Sequence, residues 1–490
     1  MDQKKEKIKQ FAALGVGEEN IFQEIMRARH LDAVLFRDPH NRDYGMTQEE
    51  LAAAAEKLTA GRFGPVPQPY AYVYTLAMSV DPMLFADADP LSPAMNAIVD
   101  HAVERALSAE EVVLFAGAEQ YVKKLTDIFV ALKGRRIDVA VREPSWKEPV
   151  AMIYDRGRSL IVEDLYEDKE TYDYIFYAGD HSPESACLWE ALQHHLRPEG
   201  KMDALLPDDL FRTEAAEVKE AERAMAQSCA LSSLYHVVDG KEEKLFVSSE
   251  KASSGEEMRI GEAGFEKGFQ GYDKVHLSRA AFRDNQIWDY DVYAYNSNPA
   301  VQTVLSAGIL DPDFAVGSAF REVMPLKGTL GTYAVIHETA VTDSSVRSDL
   351  VKEEILADAA RVRAGDLVMA RPGGRLVLAV VPREMEGAAA APEVTVLRPV
   401  AEYTAEYLKA YLGGPVGQLF LSTMQAGEVC CITPSRLLRM PLRRSGEAVI
   451  REVTENVRRA TAALSRAEEE WRRVKRESVG LMMGHPGADR

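Results

Sequence analysis

The sequence predicts an α/β fold: a doubly wound, mainly parallel sheet, a mixed α+β domain after it, and a long C-terminal helix. Three observations predict this. Short apolar runs alternate with helix-length segments between residues 90 and 248, and strands separated by such segments imply right-handed crossovers. Over residues 272–445 the pattern changes to short strands and loops with few long helices. From Ile450 to Val474, apolar residues then recur three and four apart without a break, a heptad seam that asks for a partner helix.

The 490 residues suggest roughly two to four domains at about 150 residues each. A formal charge of −19 excludes a protein that coats nucleic acid non-specifically, because phosphate neutralisation drives that binding. It leaves room for a confined DNA-reading surface, since a local field depends on where the charges lie. The cysteines, Cys187, Cys229, Cys430 and Cys431, form no CxxC pair and no metal-ligand spacing, which points to a reduced, cytoplasmic setting. The lysine-rich start leads into no apolar signal segment, and no stretch has the apolar length of a membrane span. There is no P-loop, HExxH or GxSxG motif. His194 and His195 are helix neighbours that face different ways, and no metal site is expected.

Residues 1–89 read as helical. Thr47 and Glu50 form a capping box that opens an alanine-rich helix closed by Gly61. Residues 31–36 read as a short strand, and the proline-containing stretch 64–69 as a boundary. Ser92 and Pro93 start a helix through 106, followed by a buried strand at 112–115. Further strands are expected at 137–141, 159–162, 174–177, 202–206, 231–238 and 245–248, with helices at 119–132, 144–154 and 183–196. Residues 249–271 are rich in Gly, Glu and Ser and read as a linker. Residues 386–392 read as an exposed loop, and 446–478 as one helix. The expected organisation is a helical region 1–89, an α/β domain 90–250, a mixed domain 251–445 and a C-terminal helix with its tail, 446–490.

The element order over 90–248 resembles the type I N6-adenine DNA methyltransferase family, whose fold is a Rossmann-type sheet. Ser92 and Pro93 resemble the lead-in to its cofactor site. The strand at 112–115 with Ala116, Gly117 and Ala118 lies where its glycine-rich S-adenosylmethionine loop belongs. Glu143 matches the acid that holds the ribose hydroxyls, and Asp164 the acid near the adenine ring. The run from Tyr172 to Asp180 resembles the fourth strand and catalytic loop. The segment from Gly200 to Pro207, with Asp209 and Phe211 after it, is similar to the apolar strand that follows. Plainer readings stand beside these: Gly117 as a strand-to-helix turn, Glu143 as an acid at a helix N-terminus, and Asp164 as a member of an exposed acidic run.

The departures concern chemistry. The family's cofactor loop carries an acid before a glycine pair; here only Gly117 remains, and a side chain in place of glycine restricts close ligand approach. The family's catalytic loop reads Asn-Pro-Pro-aromatic, gripping an extruded adenine by hydrogen bonds and stacking. Here the four positions are Tyr177, Ala178, Gly179 and Asp180. A phenol does not copy the acceptor geometry of an amide, and a carboxylate does not stack.

Residues 361–442 resemble the target-recognition domain of type I restriction specificity subunits. The likeness rests on the turn Gly365-Asp366 into a strand, a glycine hairpin between Arg371 and Arg375, a strand ending at Arg398, two helices within 403–424 and an apolar close at 437–442. It implies binding of double-stranded DNA, with Arg371, Arg375 and Arg398 as candidate phosphate or base contacts or, equally, solvated surface charges. It also implies a spacer helix, with Ile450, Val453, Val457, Leu464 and Trp471 facing a partner subunit or a second copy. Three functions follow as expectations. The first is a DNA-recognition protein of a modification or defence system, with a methyltransferase-like domain that has lost catalysis and uses no S-adenosylmethionine. The second is a divergent, active S-adenosylmethionine-dependent adenine-N6 methyltransferase that uses Tyr177 and Asp180. The third is an assembly protein that binds neither cofactor nor DNA.

Overall fold

Nine strands form the sheet that organises the first half of the chain in the computed structural model. They are β1 (Val112–Ala116), β2 (Arg136–Ala140), β3 (Ile161–Val162), β4 (Tyr172–Ala178), β5 (Leu196–Pro207), β6 (Ala230–Asp239), β7 (Glu242–Glu250), β8 (Glu257–Gly264) and β9 (Gln270–Ser278). Their order across the sheet is β3-β2-β1-β4-β5-β7-β6-β8-β9. The run β3-β2-β1-β4-β5 is parallel throughout. β7 inserts antiparallel between β5 and β6, β8 lies parallel to β6, and β9 closes the edge antiparallel. The doubly wound, mainly parallel sheet is therefore present, and strand order reverses direction between β1 and β4, the switch point where such sheets place ligands. The structure describes residues 2–36, 46–80, 85, 90–109, 111–143, 146–147, 150, 161–162, 164–167, 169–213, 215–228, 230–240, 242–251, 257–311, 314–326, 331–347, 350–355, 359–371, 376–400, 402–424 and 432–482.

The strands near the switch point are apolar because both faces are covered. All five residues of β1 are buried. Against it packs the helix Pro93–Leu107, which is capped by Ser92 and buries Met95, Ile98, Val99, Ala102 and Ala106 at helical spacing. Of the helix expected at 144–154, only residues 146, 147 and 150 lie among the described residues.

Ahead of the sheet, helices Asp2–Ala13, Ile21–Phe36, Gln48–Phe63 and Tyr70–Met78 share a core of their own. The capping box is formed, with Glu50 N donating to Thr47 Oγ1 at 3.2 Å and Thr47 N to Glu50 Oε2 at 2.8 Å. The strand expected at 31–36 is instead the end of a helix, because Ile21, Ile25, Ala28 and Leu31 align on one buried stripe. Arg27, fully buried on that helix, pairs with Glu24 and donates to the carbonyls of Phe63, Gly64 and Pro65. It thereby satisfies backbone acceptors left over where the helix Gln48–Phe63 ends.

The expected linker at 249–271 is a second correction. It holds the end of β7, all of β8 and the start of β9. β8 alternates exposed Glu257 and Arg259 with buried Met258 and Ile260, and β9 is an exposed edge strand, so both read as polar in sequence. The chain divides into two compact units, residues 1–290 and 291–490.

The second unit contains two four-stranded sheets. One, in the order β10-β17-β14-β15, comprises β10 (Phe320–Glu322), β14 (Leu367–Ala370), β15 (Val377–Val380) and β17 (Thr395–Pro399). The other, in the order β12-β11-β16-β13, comprises β11 (Gly331–Ile336), β12 (Lys352–Ile355), β13 (Ala360–Arg361) and β16 (Ala389–Ala390). The loop expected to be exposed at 386–392 contains β16, and Ala388 to Ala391 are all buried, their small side chains fitting between β11 and β13. The final helix runs Glu447–Met482. The start of its heptad seam is covered: Ile450 is buried and packs with Val453 in the unit's core. Beyond Val457 the covered side turns to Thr461, Ser465 and Glu468, with Ser344 donating to Glu468. Leu464, Trp471 and Val474 are left exposed. The seam is thus split, half within the unit and half in solvent.

Candidate functional site

The carboxyl ends of β1, β2 and β4 lie side by side at the switch point, and Gly117 after β1 and Asp180 after β4 were singled out in the sequence. β1 ends at Gly117, whose φ of +66° is left-handed. A Cβ added there would lie 1.9 Å from the carbonyl oxygen of Ala178, so the glycine lets the ends of β1 and β4 approach each other. The side chain of Tyr121 folds back and donates to Ala116 O at 3.1 Å. Phe115, Tyr121 and Phe176 fill the space beneath as a mutually packed aromatic trio.

β2 leads into Arg142, and β4 into Asp180. Arg142 Nη1 lies 3.2 Å from Asp180 Oδ1. Arg142 also donates to Ser185 Oγ at 2.8 Å, Ser182 Oγ at 3.2 Å and Glu184 Oε2 at 2.9 Å. Asp180 Oδ1 accepts from Ser182 N at 2.9 Å, from Ser182 Oγ, and from Ser185 Oγ at 2.6 Å. Ser185 Oγ accepts in turn from Asp180 N at 2.9 Å. The result is a closed network at the start of the helix Pro183–Leu192, where the dipole also favours an anion. Burial pushes the Asp180 carboxyl up, but the serine hydroxyls, the Ser182 amide and Arg142 together outweigh it and hold the pKa at about 2. Tyr177 is fully buried in β4, and burial raises its phenol above the ordinary value. Glu119, just after Gly117, accepts from Arg142 N at 3.2 Å while burial raises its pKa.

Neither of the two cavities formed by the described residues near this end of the sheet brings the three cofactor candidates together. A 280 Å³ cavity beyond β2 and β3 is lined by Asp164 together with Arg142, Tyr166, Glu184 and Leu188. A larger one, 790 Å³, is lined by Ser92, Met95, Glu119, Lys123, Trp146 and Asp239 among others. Gly117 lines neither. Glu143 is exposed and lines neither. Asp164 is exposed and accepts from Tyr166 N at 2.8 Å, which makes it an Asx-turn residue.

In the second unit, Arg398 lies on β17 and is gripped by Asp366, Nε to Oδ1 at 2.9 Å and Nη2 to Oδ2 at 2.7 Å, and it also donates to Arg361 O. Asp366 is buried, accepts from Arg363 N at 2.7 Å and follows Gly365, whose φ is +85°. The Gly-Asp turn therefore anchors Arg398 through a two-point ion pair. Arg371 is half-buried and donates to Ile432 O. Arg375 lies outside the described residues.

Arg142, Ser182 and Ser185 were missed in the sequence reading. Asp180, Ser182 and Ser185 bracket Pro183, the residue spacing of a helix start; that signal marks Asp180 as an end-of-helix acceptor. Arg142 carries no signal beyond its place at the end of β2.

No family model matches the chain, and no curated protein matches it. Among solved structures, the type IIG restriction endonuclease BpuSI is similar at 9% identity and a TM-score of 0.36, covering 89% of this chain and 71% of that one. A class I S-adenosylmethionine-dependent methyltransferase from Listeria monocytogenes matches at 11% identity and 0.29, covering 59% and 97%. A TehB-like methyltransferase from Corynebacterium glutamicum matches at 15% and 0.25, covering 34% and 90%.

Proposed function

We propose that the chain is a DNA-recognition protein of a restriction-modification-like or defence system, in which a methyltransferase-like domain no longer transfers methyl groups and which works with a partner subunit. The observation that carries this reading is the occupation of Asp180. Asp180 stands at the last of the four positions that the resemblance assigns to the loop gripping an extruded adenine, and its carboxylate is tied to two serines and Arg142. A carboxyl held at about pH 2 is a poor proton acceptor near neutrality, and its neighbour Tyr177 is sealed in the core. DNA reading is assigned to the second unit through the resemblance over 361–442, with Arg371, Arg375 and Arg398 as the candidate contacts. The exposed stretch of the C-terminal seam, Leu464, Trp471 and Val474, supports a helix-packing partner. No described helix is long and apolar enough to cross a membrane.

The test pairs two assays on the purified chain. Incubation with labelled S-adenosylmethionine and adenine-containing duplex DNA is expected to leave the DNA unlabelled. Duplex binding is expected to weaken steeply between 50 and 200 mM salt, as phosphate contacts require. Methyl transfer that disappears in Asp180→Asn would overturn the first half, and absence of duplex binding at low salt the second.

A second reading, that S-adenosylmethionine still binds, is favoured by one observation: the 790 Å³ cavity at Ser92 and Glu119, a volume in the range of small-molecule sites. A thermal shift on adding S-adenosylmethionine decides it, since a ligand at about a hundred times its Kd stabilises by about 2.7 kcal/mol.

A further inference from the structure

Away from Asp180, the same end of the sheet holds a second polar cluster. Asp208 follows the last residue of β5, His236 lies near the end of β6, and Glu243 near the start of β7. All three are buried, at 1%, 2% and 9% exposure. One ligand atom from each lies within 4.8 Å of the other two, and His236 Nε2 is 3.3 Å from Glu243 Oε2. An imidazole nitrogen and two carboxylate oxygens are the donors that zinc and neighbouring divalent transition ions accept. An ion about 2.0–2.2 Å from each donor needs them roughly 3–4 Å apart, close to the spacing present.

The donors are also held as metal ligands are. The ring of Tyr290 stacks on that of His236, centroids 5.7 Å apart and planes inclined by 11°, which fixes the imidazole plane. Arg212 pairs with Asp208, and a carboxylate oriented by a cation through one oxygen can coordinate through the other. Glu262, also buried, is the cross-strand neighbour of His236 on β8, a third carboxylate beside the same ring.

We infer that Asp208, His236 and Glu243 form a binding site for a divalent transition cation of the zinc class. The ion replaces the hydrogen bond between His236 and Glu243 and ties the end of β5 to the β6–β7 hairpin. Burial of all three donors makes the role structural. The inference is independent of the fate of Asp180 and of DNA binding. It was not legible in the sequence because the ligands are 28 and 7 residues apart, on β6, on β7 and in the turn after β5, with no motif spacing.

The test uses the untagged full chain, stripped with chelator and dialysed against Zn²⁺ or Co²⁺. About one tightly held ion per chain is expected, with a visible Co²⁺ absorption band of low-symmetry coordination and a higher Tm with Zn²⁺ than with chelator. Binding should weaken roughly 100-fold or more in Glu243→Gln, which keeps the side chain's size, and in His236→Ala, since even outer partners of a site cost 10–100-fold. It should also weaken in acid, because a ligating imidazole must be neutral. Circular dichroism of the variants in chelator checks folding. If a variant does not fold, Co²⁺ spectra of the wild type with Zn²⁺ as competitor decide. A stripped protein that takes up no ion above micromolar affinity, a Co²⁺ spectrum of free hexa-aqua ion, or stoichiometric binding unchanged in folded Glu243→Gln would each overturn the inference.

Discussion

Arg142 in the first unit and Arg398 in the second are both clasped by an aspartate at a strand end, yet the two clasps differ in depth. Asp366 is 2% exposed at its side chain and Arg398 16%, and the pair joins β17 to the turn before β14 in two-point geometry. Asp180 is 42% exposed at its side chain and is held by several weaker donors at a helix start. The comparison teaches that a charged residue at a strand end looks the same in sequence whether it addresses a ligand or its own backbone. Only the partner decides. The sequence offers Asp180 as a departure from a catalytic motif and Arg398 as a candidate DNA contact, and in the structure each also holds a partner of its own chain.

The deeper clasp should break hardest. Asp366→Ala leaves a half-buried guanidinium without its carboxylate, and removing one partner of a buried pair costs about 3 kcal/mol; urea unfolding should show this as a lower midpoint at an unchanged slope. Loss of duplex affinity in Arg398→Ala without loss of stability would reverse the contrast and place that arginine on the DNA surface. Arg142→Ala removes one of several donors to Asp180, and about 1 kcal/mol is expected. The smallest effect is acid. The folded pKa of Asp180, about 2, lies below its unfolded value of about 3.9, so its contribution is fully present above pH 4 and is lost as pH falls towards 2. Solvent screening keeps it small. Urea midpoints measured between pH 4 and 2 should fall less in Asp180→Asn than in the wild type.

What the sequence revealed follows covering rather than importance. β1 is apolar throughout because it is buried on both faces, and the parallel strands beside it were legible for the same reason. β8, with exposed Glu257 and Arg259 alternating with buried Met258 and Ile260, carries the composition of a linker and passed for one. β16 was hidden because alanines at 388–391 look like loop filler, although all four are buried. At the site, the elements were legible and the wiring was not: Gly117 follows β1 and Asp180 follows β4. What Gly117 touches, Ala178 O, and what Asp180 binds, Arg142 and two serines, depend on pairings across the sheet.

The exposed stretch of the last helix carries a built-in optical reporter. Of the chain's four tryptophans, Trp189 and Trp288 are buried, Trp146 is half-buried and Trp471 is 67% exposed, so the long-wavelength, quencher-accessible part of the intrinsic emission is weighted towards one rung of the unfilled seam. Any body that settles there should shift that light to the blue and shield it from acrylamide, so association can be followed on the native chain with no label attached.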